Sequence, residues 1–460
     1  MKRKFNISLL ILIIIVLFTV NVSSQVVISK EAVDDLEYLI NRIEEVHPNI
    51  YFHLSKEEAD RRIEEIKDKL REKEEWTNRE IYKLFGPFVA SFKDGHTGLY
   101  ITDKFRDYYD EGGTIFPLGI KFINDKVMVY KNYSKQEIKK ETELLAINGI
   151  KINEIMEEVK RYISSENSIY AYSIIERTFP IYLWALYDFD NEYELKLKDK
   201  SGQEYDLTVK GATKEARIQN SEESKSENWT LDYPFQRNAY LTINTFSGSL
   251  KNAFEIEMDK FFEDIRKKDI NNLFIDISEN GGGNTDLAKY LVDHFNDKPY
   301  SLFKEVRMKY SDYAFRNRSN VFTKLYYYFK KDRDNIIVFQ SDMITPKEND
   351  LRFNGDVYII TSNFTFSTAT DFAAIVKDHE LGTIVGEETG GLASCYGDVI
   401  RDRLPNTELS FGVSYKYFLR PSGFDNGRGV KPDIKLDISE LKYWYDSDSY
   451  KEMVIKSIIY

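Results

Sequence analysis

The sequence predicts an α/β protein built from three successive regions. Residues 29–92 carry apolar positions at helical spacing between charged runs, which read as solvated helix faces. Residues 113–211 alternate like paired strands. From about residue 228, buried strands alternate with amphipathic helices, the pattern of a mostly parallel sheet covered by helices. A chain of 460 residues with 42% hydrophobic and 14% aromatic content is globular and long enough for two or three domains, each with a full core.

Composition narrows the chemistry. A net charge of −12, spread without long blocks, argues against nucleic acid as a partner, because phosphate binding needs a basic face. The single cysteine, Cys395, excludes an intramolecular disulfide and any multi-cysteine zinc site. No metal or cofactor is implied. Residues 1–25 differ from the rest: "MKRK", the apolar run "ISLLILIIIVLFTV" and the small-residue stretch "NVSSQ" read as a signal peptide or an uncleaved N-terminal anchor. Export to the cell envelope or the extracellular space is the expectation.

The elements follow in order. "SKEAVDDLEYLINRIEEVHPN" is a helix with Ser29 as cap and Pro48 as stop. The next stretch reads as two helices broken near Trp76–Thr77, and "FKDGHTGL" follows as a turn holding His96. In the middle region, "IND" and Asn148-Gly149 mark hairpin turns, and "EYELKLKDKSGQEYDLTVKG" is a further hairpin. The units are 1–25 (leader or anchor), 29–100 (helical, with the His96 motif), 113–211 (β-rich), 228–440 (strand–helix alternating) and 441–460 (C-terminal helix).

Two features of the third unit could carry chemistry. Ser367 falls where the strand "DVYIITSNFTFS" meets the helix "TATDFAAIVKDH". It can be a simple N-cap or a nucleophile beside free backbone N–H groups. In "FIDISENGGG" three glycines follow a buried strand. They can form a flexible turn or a cradle of N–H groups.

Taken together, these stretches resemble the C-terminal-processing (tail-specific) and tricorn-type serine peptidases. "FIDISENGGG" is similar to that family's "D-x-R-x-N-G-G-G" strand. "NFTFSTATDFAAIVKDHELGTIVGEETGG" is similar to its nucleophile segment, "GRGVKPDI" to its "G-V-x-P-D" signature and "KDGHTGL" to its "D-x-H-T" signature. The resemblance implies a crotonase-like catalytic core, a degenerate PDZ-like module over 113–211, and peptide-bond hydrolysis of a peptide or protein substrate. It assigns Ser367 as nucleophile, with an oxyanion hole from the N–H of Thr368 and of Gly281 or Gly282. Tail-specific members place a lysine base in the turn that here reads "GEETGGLASC", where the matching residue is Leu392. A leucine cannot take a proton, so the resemblance to the tricorn-type branch makes His96 the base. Asp425 in "GFDNGRGV" is the acid expected to orient it, and Asp433 a structural residue of the "P-D" turn. Gly95 stands where tricorn has a serine. A non-catalytic peptide- or ligand-binding protein on the same fold is the alternative. Oligomeric state is not legible.

Overall fold

The computed structural model describes residues 26–189, 191–220, 227–309, 311–314 and 336–459. The leader or anchor read over 1–25 lies outside the described residues, and among those described no helix is long and apolar enough to cross a membrane.

The first region comprises β1 (Val26–Ile28), α1 (Ser29–Val46), α2 (Lys56–Leu70), β2 (Glu75–Thr77), α3 (Asn78–Ala90), β3 (Gly98–Tyr100) and α4 (Thr102–Asp110). The break expected near Trp76 is the strand β2, paired antiparallel with β1. Thr77 then caps α3 in a reciprocal box with Glu80. Ser29 is not the cap of α1. The helix starts at Ser29 itself, whose hydroxyl is drawn off to the carbonyl of Lys73.

The middle region holds β4 (Leu118–Ile123), β5 (Lys126–Asn132), β6 (Glu143–Ile147), β7 (Ile150–Lys151), α5 (Ile152–Lys160), α6 (Ser168–Leu186), β8 (Glu192–Lys198) and β9 (Glu204–Lys210). The strands form one antiparallel sheet in the order β4-β5-β6-β8-β9, with β7 paired to β6. Both hairpin turns read from the sequence are present, with positive φ at Asn124, Asp125, Asn148 and Gly149. Helix α6 packs on β4 and covers the sheet's apolar face through Ile175, Phe179 and Leu183.

The third region contains β10 (Trp229–Asp232), β11 (Asn238–Ile243), α8 (Lys251–Lys267), β12 (Asn272–Asp276), α9 (Thr285–Val292), β13 (Glu305–Lys309), β14 (Ile336–Gln340), β15 (Asp356–Thr361), α10 (Thr368–Asp378), β16 (Thr383–Gly386), β17 (Cys395–Arg403), β18 (Ser410–Leu419) and β19 (Ile434–Lys435). The chain closes with α11 (Ile438–Trp444) and α12 (Ser447–Ile459), so the C-terminal helix is broken in two; α7 (Lys214–Asn220) links the second and third regions. The main sheet runs β10-β11-β12-β15-β16-β19, parallel except for β10. Helix α10 buries Phe372, Ile375 and Val376 completely against it. Burial of each such side chain is worth about 1.5–3 kcal/mol.

A second, antiparallel sheet was not foreseen: β14-β13-β18-β17, with β3 added to β18. This pairing of Gly98–Tyr100 with Ser410–Gly412 ties the first region to the third.

Candidate active site

The main sheet ends its parallel strands on one side, where loops of an α/β fold gather a site. The turn after β12 and the loop after β15 meet there. Ser362 Oγ donates to the carbonyl of Ser278 (2.5 Å), and Thr365 Oγ1 to that of Ile277 (3.1 Å). Phe366 N–H donates to the carbonyl of Asn280 (3.2 Å).

These bonds fix Ser367 at φ +55°, ψ −130°, with no side-chain capping bond to the helix it opens. A non-glycine residue held there stores on the order of 1–3 kcal/mol of strain. A residue serving only as cap would sit in the extended region and accept from the first turn. Ser367 does neither, so its hydroxyl is left for another use. The N–H groups of the first turn of α10, starting at Thr368, have no intrahelical acceptor.

The glycine turn lies directly on this serine. At Gly282 (φ +99°) a Cβ would stand 2.7 Å from Ser367 Cβ and 2.9 Å from Thr368 N. At Gly283 it would collide with the carbonyl of Phe246, at 2.0 Å. Only glycine lets the turn pass between Phe246 and Ser367. Asn280 organises the turn: its Nδ2 donates to the carbonyl of Ile243 (3.0 Å) and its Oδ1 accepts from Gly282 N–H (2.8 Å). That bond occupies the Gly282 N–H.

His96 reaches the same place through β3. Ser414 on β18 donates its N–H to Thr97 Oγ1 (3.0 Å) and its Oγ to Asp94 Oδ2 (2.6 Å). Asp94 Oδ1 accepts from His96 N–H (3.0 Å), and His47 Nε2 lies 3.2 Å from Asp94 Oδ2. Burial pushes the Asp94 carboxyl up, but His47, His96 and the Ser414 hydroxyl outweigh it and hold it below the usual range. The His96 ring stacks on Phe366, the neighbour of Ser367, with centroids 4.5 Å apart. Its Nδ1 is buried without a hydrogen-bond partner. Burial lowers the His96 pKa, and Arg401 lowers it further; Asp94 and Asp398 act the other way without reversing the shift.

The structure does not join Asp425 to His96. Asp425 is exposed, takes the Tyr417 hydroxyl on Oδ2 and its own turn's Gly427 N–H on Oδ1 (2.9 Å). Its turn satisfies it locally, and the carboxylates whose fields act on His96 are Asp94 and Asp398. Asp433 sits as expected for a structural residue, accepting from Ile384 N–H (2.9 Å) and from Lys377 (2.6 Å). Leu392 and Asp425 line a cleft of about 750 Å³ with Phe92, Asp94, Cys395 and Tyr396.

Helix α6 was not read as part of any site, yet it touches each segment of this one. Glu166, just ahead of it, accepts from Gly95 N–H (3.0 Å). Its cap Asn167 donates to the carbonyl of Gly390 (3.0 Å). Tyr170 stacks on Phe366, at 4.2 Å and 5°. These residues match no motif, and only the fold brings them here.

Residues 237–436 match the model of peptidase family S41. Solved structures with the same fold include a serine-to-alanine mutant of CPAF, at 16% identity and a TM-score of 0.72, covering 93% of this chain and 96% of that one. Mature CPAF complexed with lactacystin is similar at 17% identity and a TM-score of 0.69, covering 93% and 97%. No curated protein matches the sequence. The 237–436 segment is thus a peptidase family S41 domain, and the chain as a whole shares the fold of the CPAF structures.

Proposed function

We propose that the chain is an exported serine peptidase that cleaves peptide bonds through an acyl-enzyme, with Ser367 as nucleophile and His96 as base. The observation that carries this is Ser367 itself: strained, uncapped, at a helix N-terminus and in contact with the glycine turn. Ser367 Oγ attacks the substrate carbonyl carbon while His96 takes its proton. The N–H groups of Thr368 and Gly281 donate to the oxygen that becomes negative. The tetrahedral adduct collapses, the C–N bond breaks, and His96 returns the proton to the leaving amine. Water then enters by the reverse sequence and frees the new carboxylate.

Leu392 occupies the turn where a lysine base would sit, which leaves the histidine as the proton acceptor. Asp94 anchors the His96 turn, and Asp398 supplies a second negative charge nearby. Asp425 enters as a rim residue of the cleft instead of the orienting acid. The catalytic unit is 228–440, with 29–100 delivering the base and 113–211 supplying a PDZ-like module. The basic-then-apolar start of the chain supports export.

The test is hydrolysis of an unstructured protein substrate by wild type, Ser367→Ala and His96→Ala. Loss of on the order of 10⁴–10⁶ in turnover for Ser367→Ala supports the assignment. Retention of more than about a tenth of wild-type turnover in either variant contradicts it.

A further inference from the structure

We propose that Arg177, on helix α6 of the middle region, is a positioning residue for the oxyanion turn. The inference rests on the reading of Ser367 above. The Arg177 guanidinium pairs with Glu279, which lies at the head of the turn, two residues before Gly281. The same guanidinium stacks over the ring of Phe364, 3.4 Å from its centroid. Phe364 sits in the loop that leads to Ser367, and its ring edge is what a Cβ on Gly281 would touch, at 3.6 Å. One planar cation therefore holds both sides of the site: the carboxylate that starts the glycine turn and the ring on which that turn rests.

Arginine suits this double task, since its flat face covers an aromatic ring while its edge donates to a carboxylate. Glu279 is well matched to receive it. Burial pushes its carboxyl up, but Lys442, Arg177 and Lys121 together hold it down to about 2. Lys442 Nζ lies 3.9 Å from Glu279 and also donates to Ser278 Oγ (2.6 Å). Lys121 is turned to Glu176 (2.7 Å). Loss of Arg177 thus leaves Glu279 with a cation beside it and does not strand a buried charge. What is lost is the link from α6 to the turn and the cover on Phe364.

A misdirected donor affects the tetrahedral state and leaves substrate binding alone. Arg177→Gln should lower kcat about 10-fold, less than the 10²–10³ of a deleted donor, with KM within about twofold. A peptide aldehyde, which forms a tetrahedral adduct on the serine, should weaken by the same factor, while a product peptide of the same sequence binds as before. Arg177→Lys keeps the charge without the flat face and should recover part of the loss. Glu279→Gln, isosteric with wild type, should reproduce the Arg177→Gln pattern. A kcat within about twofold of wild type for both variants overturns the proposal, as does equal weakening of aldehyde and product peptide. Full turnover in Ser367→Ala would remove the underlying reading instead, so the two failures are distinguishable.

Discussion

A single methyl at Gly282 should silence the enzyme and spare its fold. The new carbon would lie 2.7 Å from Ser367 Cβ, 2.8 Å from the Phe366 carbonyl oxygen and 2.9 Å from Thr368 N. Carbons in comfortable contact stand about 3.5–4.0 Å apart, so the turn and the serine must separate by roughly 1 Å. A displacement of that size between reacting groups costs about 10²-fold, and a donor lost outright about 10²–10³-fold. The expected fall in kcat for Gly282→Ala is therefore on the order of 10²–10³. The φ of +99° adds backbone strain of about 1–3 kcal/mol, which lowers the melting temperature without abolishing the native state. Gly281→Ala is the internal control. Its Cβ would meet only the Phe364 ring, at 3.6 and 3.7 Å, an ordinary contact. That variant should fold and keep most of its turnover. The assay is kcat on a fluorogenic peptide beside thermal melting for both variants. Turnover within about threefold of wild type in a folded Gly282→Ala protein would refute the placement of the oxyanion turn.

Other outcomes follow from the same geometry. A histidine base must be neutral, and burial lowers the His96 pKa, so the acid limb of kcat/KM should have its midpoint below 6.5; Asp398→Asn removes a charge that raises this pKa and should move the limb still lower. Leu392→Ala should change substrate affinity and leave the position of the acid limb in place, because Leu392 lines the cleft and carries no proton. Glu166 has its pKa raised to about 7 by burial, with Asp94 adding to the shift. The native state therefore holds a proton that the unfolded chain has released, and this contribution to stability fades as pH rises from about 4.5 to 7. Glu166→Gln should flatten that part of a melting-temperature-versus-pH curve. Asp425→Asn should cost less than about 10-fold in turnover, since Asp425 bonds to Tyr417 and Gly427 and not to His96.

What could be read in advance divides along physical lines. Strand–helix alternation, the glycine run and Ser367 at a strand-to-helix junction are local patterns, and a local pattern is visible in one stretch of chain. The hairpin turns at Asn124-Asp125 and Asn148-Gly149 were legible for the same reason, because their positive φ demands those residue types. The antiparallel sheet that β3 joins, just after the His96 turn, was not. The pairing of β3 with β18 joins distant segments, and nothing within Gly98–Tyr100 specifies its partner. Asp425 shows the limit of a motif. The acid is present in sequence, but its turn closes on it, and the carboxylates whose fields reach His96 are Asp94 and Asp398 instead. Glu166, Tyr170 and Arg177 form no motif, and their part emerges only when α6 is laid across the Ser367 loop.

The pairing of Ser367 with His96 is tested most directly by active-site labelling. Wild-type protein, His96→Ala and Ser367→Ala are treated with a fluorophosphonate, and the modified residue and its rate are read by mass spectrometry across pH. One adduct per chain is expected, on Ser367, absent from Ser367→Ala, slowed at least about 10²-fold in His96→Ala, with an acid limb below 6.5 in wild type. An adduct on another residue, or His96→Ala labelled at the wild-type rate, would contradict the assignment.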